Sequence, residues 1–377
     1  MGRRLALIGL TAVTFGVAAV AAFGPSAGAP AGSSPALREV PADTTFAALV
    51  RRLSGAGAYF DTDNLISNEA SYLHVAARLR ALRRPGLAYI GVGPDQNFSY
   101  IAALRPEFAV ILDIRRDNLL HHLLLKALLE SSPDRASYLA ALFGRPPPPA
   151  PLRAAGADLG AMLEWARAAP AVEGAALPEP LERRIVDFGV ELSQEDIATI
   201  RGFHRAFIEA GPELRFRSHG RAPRWYYPTY GELLLERDER DEPASYLATD
   251  ADFHFVRALQ ERDGIVPAVG DFSGPHALPE IGRELRRRGL EVGAFYTSNV
   301  EFYLYEQGTF DRYAASVAGL PAAPDGVLVR SYFHRGRPHP ESVAGYASTQ
   351  LAQPLEAFVT GWRSGGFPWY GRLVSGE

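Results

Sequence analysis

Two short apolar runs frame the chain, Leu87–Val92 and Phe108–Ile114. Neither alternates with polar residues, which is the pattern of strands buried on both faces. Between them Gly91-Val92-Gly93-Pro94 predicts a tight turn, and Asp95–Leu104 has helical spacing with Asp95 placed to cap its first turn. Strand, glycine loop, helix and strand make one βαβ unit. Further strands are expected at Ile265–Val269, Val292–Tyr296 and Val327–Tyr332. Helices are expected at Thr44–Leu53, Glu69–Leu82, Asn118–Glu130, Asp252–Arg262 and His276–Gly289, with helix and a glycine/aromatic tail after the last strand. From Ser132 to about Ala248 the pattern reads as a mostly helical insertion. It is broken by the stiff Arg145–Pro151 polyproline stretch and carries a capping box at Ser193 and Asp196. The expected class is α/β, a mostly parallel sheet flanked by helices, with a helical insertion at about 132–248.

Composition narrows the functional classes. The 377 residues are 47% hydrophobic, enough for a large core in one or two domains. A formal charge of −4 gives no broad basic face for nucleic acid. The absence of cysteine excludes disulfides, thiolate metal sites and a cysteine nucleophile. His121 and His122 are adjacent, so on a helix they point apart, and one packed and one solvated histidine is expected rather than a metal site. Arg3 and Arg4 precede the apolar Leu5–Phe23, with Ala29-Pro30-Ala31 beyond, so residues 1–31 read as a signal peptide or N-terminal membrane anchor. Residues 32–58 then read as a linker and short helix, and 59–377 as the α/β domain. The protein is expected to be exported, meeting a membrane only through that first segment.

Candidate chemistry sits at the strand ends. Asp113 lies twenty positions after Gly93, where a carboxylate can accept hydrogen bonds from ribose hydroxyls. The alternative is a plain glycine turn with an aspartate that caps the next helix. The segment YIGVGPDQN followed by VILDIRRDN resembles the first two motifs of the class I S-adenosylmethionine-dependent methyltransferase superfamily. It departs from the usual pattern by Tyr89 before the loop and Asp95, Gln96 and Asn97 at its far end. The resemblance implies a Rossmann-like methyltransferase fold that binds S-adenosylmethionine at the edge of the first two strands.

Under that resemblance Gly91, Gly93, Asp95 and Asn97 form the cofactor loop and Asp113 holds the ribose. Asp271, in a strand ending Gly270-Asp271, faces the adenine amino group, and Asn68 and Glu69 meet the amino-acid moiety. Tyr296, Ser298, Asn299 and Glu301, at the carboxyl end of the Val292–Tyr296 strand, line the transferring methyl group and substrate. Glycine and aspartate at these positions are also ordinary turn and helix-start residues. No catalytic residue is assigned, because methyl transfer relies largely on alignment and desolvation.

Other enzyme signatures are absent: there is no G-x-S-x-G, H-E-x-x-H or Walker loop. Asn97 stands where a nicotinamide-binding loop has its third glycine or alanine. Arg224–Tyr230 is the most aromatic patch of the insertion, either a substrate wall or core. A small-molecule ligand is the expected partner. Since S-adenosylmethionine is made in the cytosol, the alternative is an exported, non-catalytic protein that keeps the fold for binding or envelope assembly.

Overall fold

Six strands form one sheet in the order β3-β2-β1-β4-β5-β6, the first five mutually parallel and β6 antiparallel to β5. They are β1 (Leu87–Gly91), β2 (Phe108–Asp113), β3 (Ile265–Val269), β4 (Glu291–Ser298), β5 (Ala322–Phe333) and β6 (Ser348–Pro354). This is a computed structural model, and it describes residues 45–375 apart from 220, 221, 223 and 335–337. The expected targeting segment and most of the linker lie outside the described residues. Among the described residues no helix is long and apolar enough to cross a membrane.

The all-apolar strands follow from cover on both faces. Every residue of β1, β2 and β3 is buried. Right-handed crossovers from β1 through β3 step one way along the sheet, and those from β3 through β5 step back the other way, so their helices fall on opposite faces. Helices Ala76–Ala81, Gln96–Leu104, Asp250–Glu261 and Arg116–Ser131 touch in series in one layer. Phe46–Leu53, Ala277–Arg288, Phe310–Ala318 and Leu355–Arg363 do so in the other. The order reverses between β1 and β4, and there the carboxyl ends of the strands open a crevice.

The insertion is helical as expected, with helices at Arg135–Leu142, Ala150–Arg153, Leu159–Ala168, Glu179–Asp187, Gln194–Ala210 and Tyr230–Leu235. The Ser193–Asp196 capping box forms and starts the longest of them. This layer lies on Arg116–Ser131, which is therefore enclosed on the side away from the sheet as well. Enclosure corrects the histidine expectation, because both are buried. His121 stacks on Phe207 at 5.6 Å, and His122 meets the edge of Phe98 at 5.8 Å. Burial pushes both imidazoles down to about 3, so they are neutral packing groups.

The single lysine of the chain has a structural reason. Lys126 is buried on the same helix, and its three donors go to Glu130 at 2.7 Å, Asp263 at 2.8 Å and the Gln260 carbonyl. The rings of Phe46 and Phe188 stand 4.8 and 5.0 Å from the ammonium. A compact point charge with three radiating donors matches these three acceptors.

Two elements depart from expectation. Glu69–Leu82 is not one helix but a turn, a short 3₁₀ segment Tyr72–Val75 and the helix Ala76–Ala81. The region read as helix and tail contains β6, whose Ser348, Thr349 and Gln350 are buried polar residues.

Candidate functional site

The crevice at the order reversal is a cleft of about 1,370 Å³ of empty space, counted out to open solvent. All five parallel strands feed it from their carboxyl ends, through Gly93 and Gln96 after β1, Asp113 and Arg115 after β2, Asp271 after β3, Ser298 and Asn299 at β4 and Phe333 at β5. A segment from Phe60 to Glu69 and the Phe216–Tyr227 part of the insertion complete the wall.

The glycine loop is shaped by Asn97. Its amide donates to the carbonyls of Val92, Gly93 and Pro94 at 2.9, 3.2 and 2.7 Å, and its oxygen accepts from Tyr89 at 2.7 Å. A Cβ on Gly91 would come within 2.0 Å of that oxygen, and Gly93 has φ +85°, so both glycines are needed to build the turn. Gly93 faces the cleft, whereas Gly91 and Asn97 lie beneath it. Asp95 does not cap the helix that follows. Its carboxylate points away from the cleft and accepts from Tyr230 and from Tyr246, the latter at 3.1 Å, tying the loop to the insertion. Burial raises this carboxyl to about 6, against the lowering effect of the two tyrosines.

Asp113 reaches the cleft already engaged. Its Oδ1 accepts from the Arg115 backbone N–H at 2.9 Å and Nε at 3.2 Å, and its Oδ2 accepts from Nη2 at 3.1 Å. The same guanidinium donates to the carbonyls of Thr62 and Asp63 at 3.1 and 3.3 Å, clasping the Phe60–Glu69 segment onto β2. Three of the four acceptor positions of this carboxylate are taken, which leaves one for a ligand. Asp271 faces the cleft and closes a local turn, accepting from the Ser273 N–H at 2.8 Å and from its hydroxyl.

Glu69 is the centre of the site. It is 1% exposed and accepts from Tyr296 at 2.6 Å, Ser331 at 2.5 Å, Gln350 at 3.3 Å and Ser298. Three of those bonds fall on Oε2, so Oε1, beside Ser298, keeps an open acceptor position. No arginine, lysine or histidine pairs with it among the described residues, although buried carboxylates are ordinarily paired. Ser298 holds φ +52°, a left-handed conformation uncommon outside glycine, and this turn brings its hydroxyl onto Glu69.

The substrate-side residues divide. Ser298 and Asn299 face the cleft, as does Asn68. Tyr296 lies beneath its surface, between Glu69 and Gln96, and burial together with the Glu69 charge holds its hydroxyl well above the usual range. Glu301 turns away altogether. It forms a buried ion pair with Arg330 at 2.6 Å and accepts from Tyr313 at 3.3 Å, so it is a core residue of the β5 side.

Gln96 is a site residue that the sequence reading passed over. Its Nε2 donates to the Tyr296 hydroxyl at 3.4 Å, while its Oε1 is buried on the cleft wall with no partner. Thr62 Oγ1 is in the same condition. Nothing in the local pattern marks either residue, since the demand arises only where three segments converge. Among the described residues no cluster of histidine, aspartate and glutamate could hold a metal ion.

The chain matches a domain of unknown function (DUF7790) over residues 65–144 and 218–360, more than half of its length. It belongs to that family. No curated protein matches the chain. The matched stretches hold the whole sheet and most of the cleft, from Glu69 through Phe333, while residues 145–217, which carry most of the insertion's helices, fall outside them.

Proposed function

We infer that this DUF7790 protein binds a positively charged, nucleoside-containing small molecule of the S-adenosylmethionine type, on a Rossmann-like methyltransferase fold. The observation that carries the reading is Glu69, a buried carboxylate on the cleft wall, surrounded by neutral donors and lacking a cation. Leaving such a charge uncompensated is costly, and a ligand ammonium or sulfonium is the compensation available to it. The position supports the reading too, since open α/β sheets take ligands at the point where strand order reverses.

Along the edge, Asp271 and Asp113 at the ends of β3 and β2 suit the nucleoside. Gly93 and Glu69, between β1 and β4, suit the amino-acid end. Asp113 offers one free acceptor position rather than two, so it meets a single ribose hydroxyl while Arg115 keeps its clasp. The work of the chain in such a reaction is alignment and exclusion of water, with Ser298 and Asn299 beside the transferring group.

Isothermal titration with S-adenosylmethionine and S-adenosylhomocysteine tests the reading. Saturable one-to-one heat from both is expected. Silence from both would leave the exported, non-catalytic binder as the better account.

A further inference from the structure

Two short stretches pair with each other along the wall of the cleft. Phe60–Asn64 comes from the segment before β1, and Arg215–His219 comes from the insertion. Thr62 and Ser218 stand opposite each other in an isolated antiparallel bridge. On either side of it the His219 N–H donates to the Asp61 carbonyl at 2.8 Å, and the Asp63 N–H donates to the Arg217 carbonyl at 3.2 Å. Side chains alternate as they do in a strand. Phe60, Thr62, Asn64, Phe216 and Ser218 line the cleft, whereas Arg217 and His219 are exposed on the outer side.

The two halves are held by different parts of the molecule. The Gly55 and Ala58 N–H groups donate to the carbonyls of Val269 and Ile114 at 2.7 and 2.8 Å, and Arg115 grips the Thr62 and Asp63 carbonyls together with Asp113. The first half is thus fixed to the ends of β3 and β2. The second half bonds back into the insertion, where the Leu214 carbonyl accepts from the Tyr230 N–H at 2.8 Å and Phe216 meets the edge of Tyr227 at 5.1 Å. Two paired strands with no third are marginal in water, so the seam between the halves is where this wall parts at least cost. The inner face of the seam also carries an unmet demand. The Thr62 hydroxyl is buried on the cleft wall with no partner, which costs free energy until a bound molecule bonds to it.

We propose that the seam joining Asp61–Asp63 to Arg217–His219 is the gate of the cleft, parting to admit a ligand and shutting with Thr62 hydrogen-bonded to it. The choice of probe rests on the S-adenosylmethionine reading. The seam does not, so the two can fail separately.

The chain has no cysteine, so a pair introduced as Asp63→Cys/Arg217→Cys meets no competing thiol. Neither residue lines the cleft. Opposed residues of antiparallel strands are about 5.5 Å apart, within reach of a disulfide. Oxidised and reduced forms of this one variant are compared by surface plasmon resonance with S-adenosylhomocysteine. The expected result is that oxidation slows both association and dissociation by about tenfold or more, while Kd stays within about threefold. Equal rates in the two forms would overturn the proposal. Hydrogen exchange of the wild-type chain needs no variant. The Asp63 and His219 amides should exchange through an opening far below global unfolding, and protection equal to that of Ile90 and Val110 in β1 and β2 would overturn the proposal too. Fast exchange at both amides that stops on oxidation, with no S-adenosylhomocysteine bound to either form, would keep the gate and remove the cofactor reading.

Discussion

Tyr296 donates its hydroxyl proton to Glu69 at 2.6 Å, and that commitment orients the next side chain. With its proton spent, the Tyr296 oxygen must accept from Gln96, which turns the Gln96 amide nitrogen inward and leaves its carbonyl on the cleft wall. The relay makes Gln96 an acceptor for a ligand N–H or O–H. Tyr296→Phe should cost about 2–4 kcal/mol of stability in urea denaturation, as two buried hydrogen bonds are lost, one of them to a carboxylate. It should also weaken S-adenosylhomocysteine binding. Because Gln96 acts through Tyr296, the Tyr296→Phe/Gln96→Leu double variant should lose less affinity than the two single losses together, by at least about 0.5 kcal/mol. Strict additivity would break the relay.

Glu301 and Arg330 form a buried pair that answers to stability and not to ligand. Removing one partner strands the other charge, so Glu301→Ala should lower unfolding free energy by about 3–5 kcal/mol. Ligand affinity per folded molecule should stay within twofold. A large affinity loss with intact stability would return Glu301 to the substrate wall.

Asp95 makes stability depend on pH. Its carboxyl titrates at about 6 in the fold against an ordinary 3.8. Between those values the native state keeps a proton that the unfolded chain has released, so stability falls as pH rises through that window and stays lowered above it. The facing tyrosines Tyr230, Tyr246 and Tyr138 are held high by burial and are silent there. Asp95→Asn cannot ionise. Relative to wild type it should gain up to about 3 kcal/mol between pH 4 and pH 7. Parallel stability curves for the two proteins would contradict this.

Lys126→Arg, conservative in charge, should destabilise by about 1–3 kcal/mol through overpacking between Phe46 and Phe188. The urea midpoint reads it, and an unchanged midpoint would show that the site takes a guanidinium.

The sheet core was legible because β1, β2 and β3 are apolar at nearly every position, and Ile265–Val269 is observed with the bounds expected of it. β6 was not legible, because its buried residues are polar. Ser348 pairs with Ser71, Thr349 with His334 and Gln350 with Glu69, partners that only the fold supplies. The same cause misplaced Asp95 and Glu301: a carboxylate near a helix start looks like a cap or a ligand contact until a distant tyrosine or arginine claims it. Of the residues expected to bind ligand, Asn68, Glu69, Gly93, Asp113, Asp271, Ser298 and Asn299 meet in the cleft, Gly91, Asp95, Asn97 and Tyr296 support it from below or beside it, and Glu301 belongs to the core of the β5 side.

Glu69→Gln should reduce affinity for S-adenosylhomocysteine by about tenfold to a hundredfold, the worth of charge-assisted hydrogen bonds. The most direct measurement is a crystal structure of the chain with S-adenosylhomocysteine at saturating concentration. The account predicts the ligand ammonium about 2.7–2.9 Å from Glu69 Oε1, with the nucleoside over the ends of β2 and β3. An empty cleft, or a ligand whose ammonium lies away from Glu69, would contradict it.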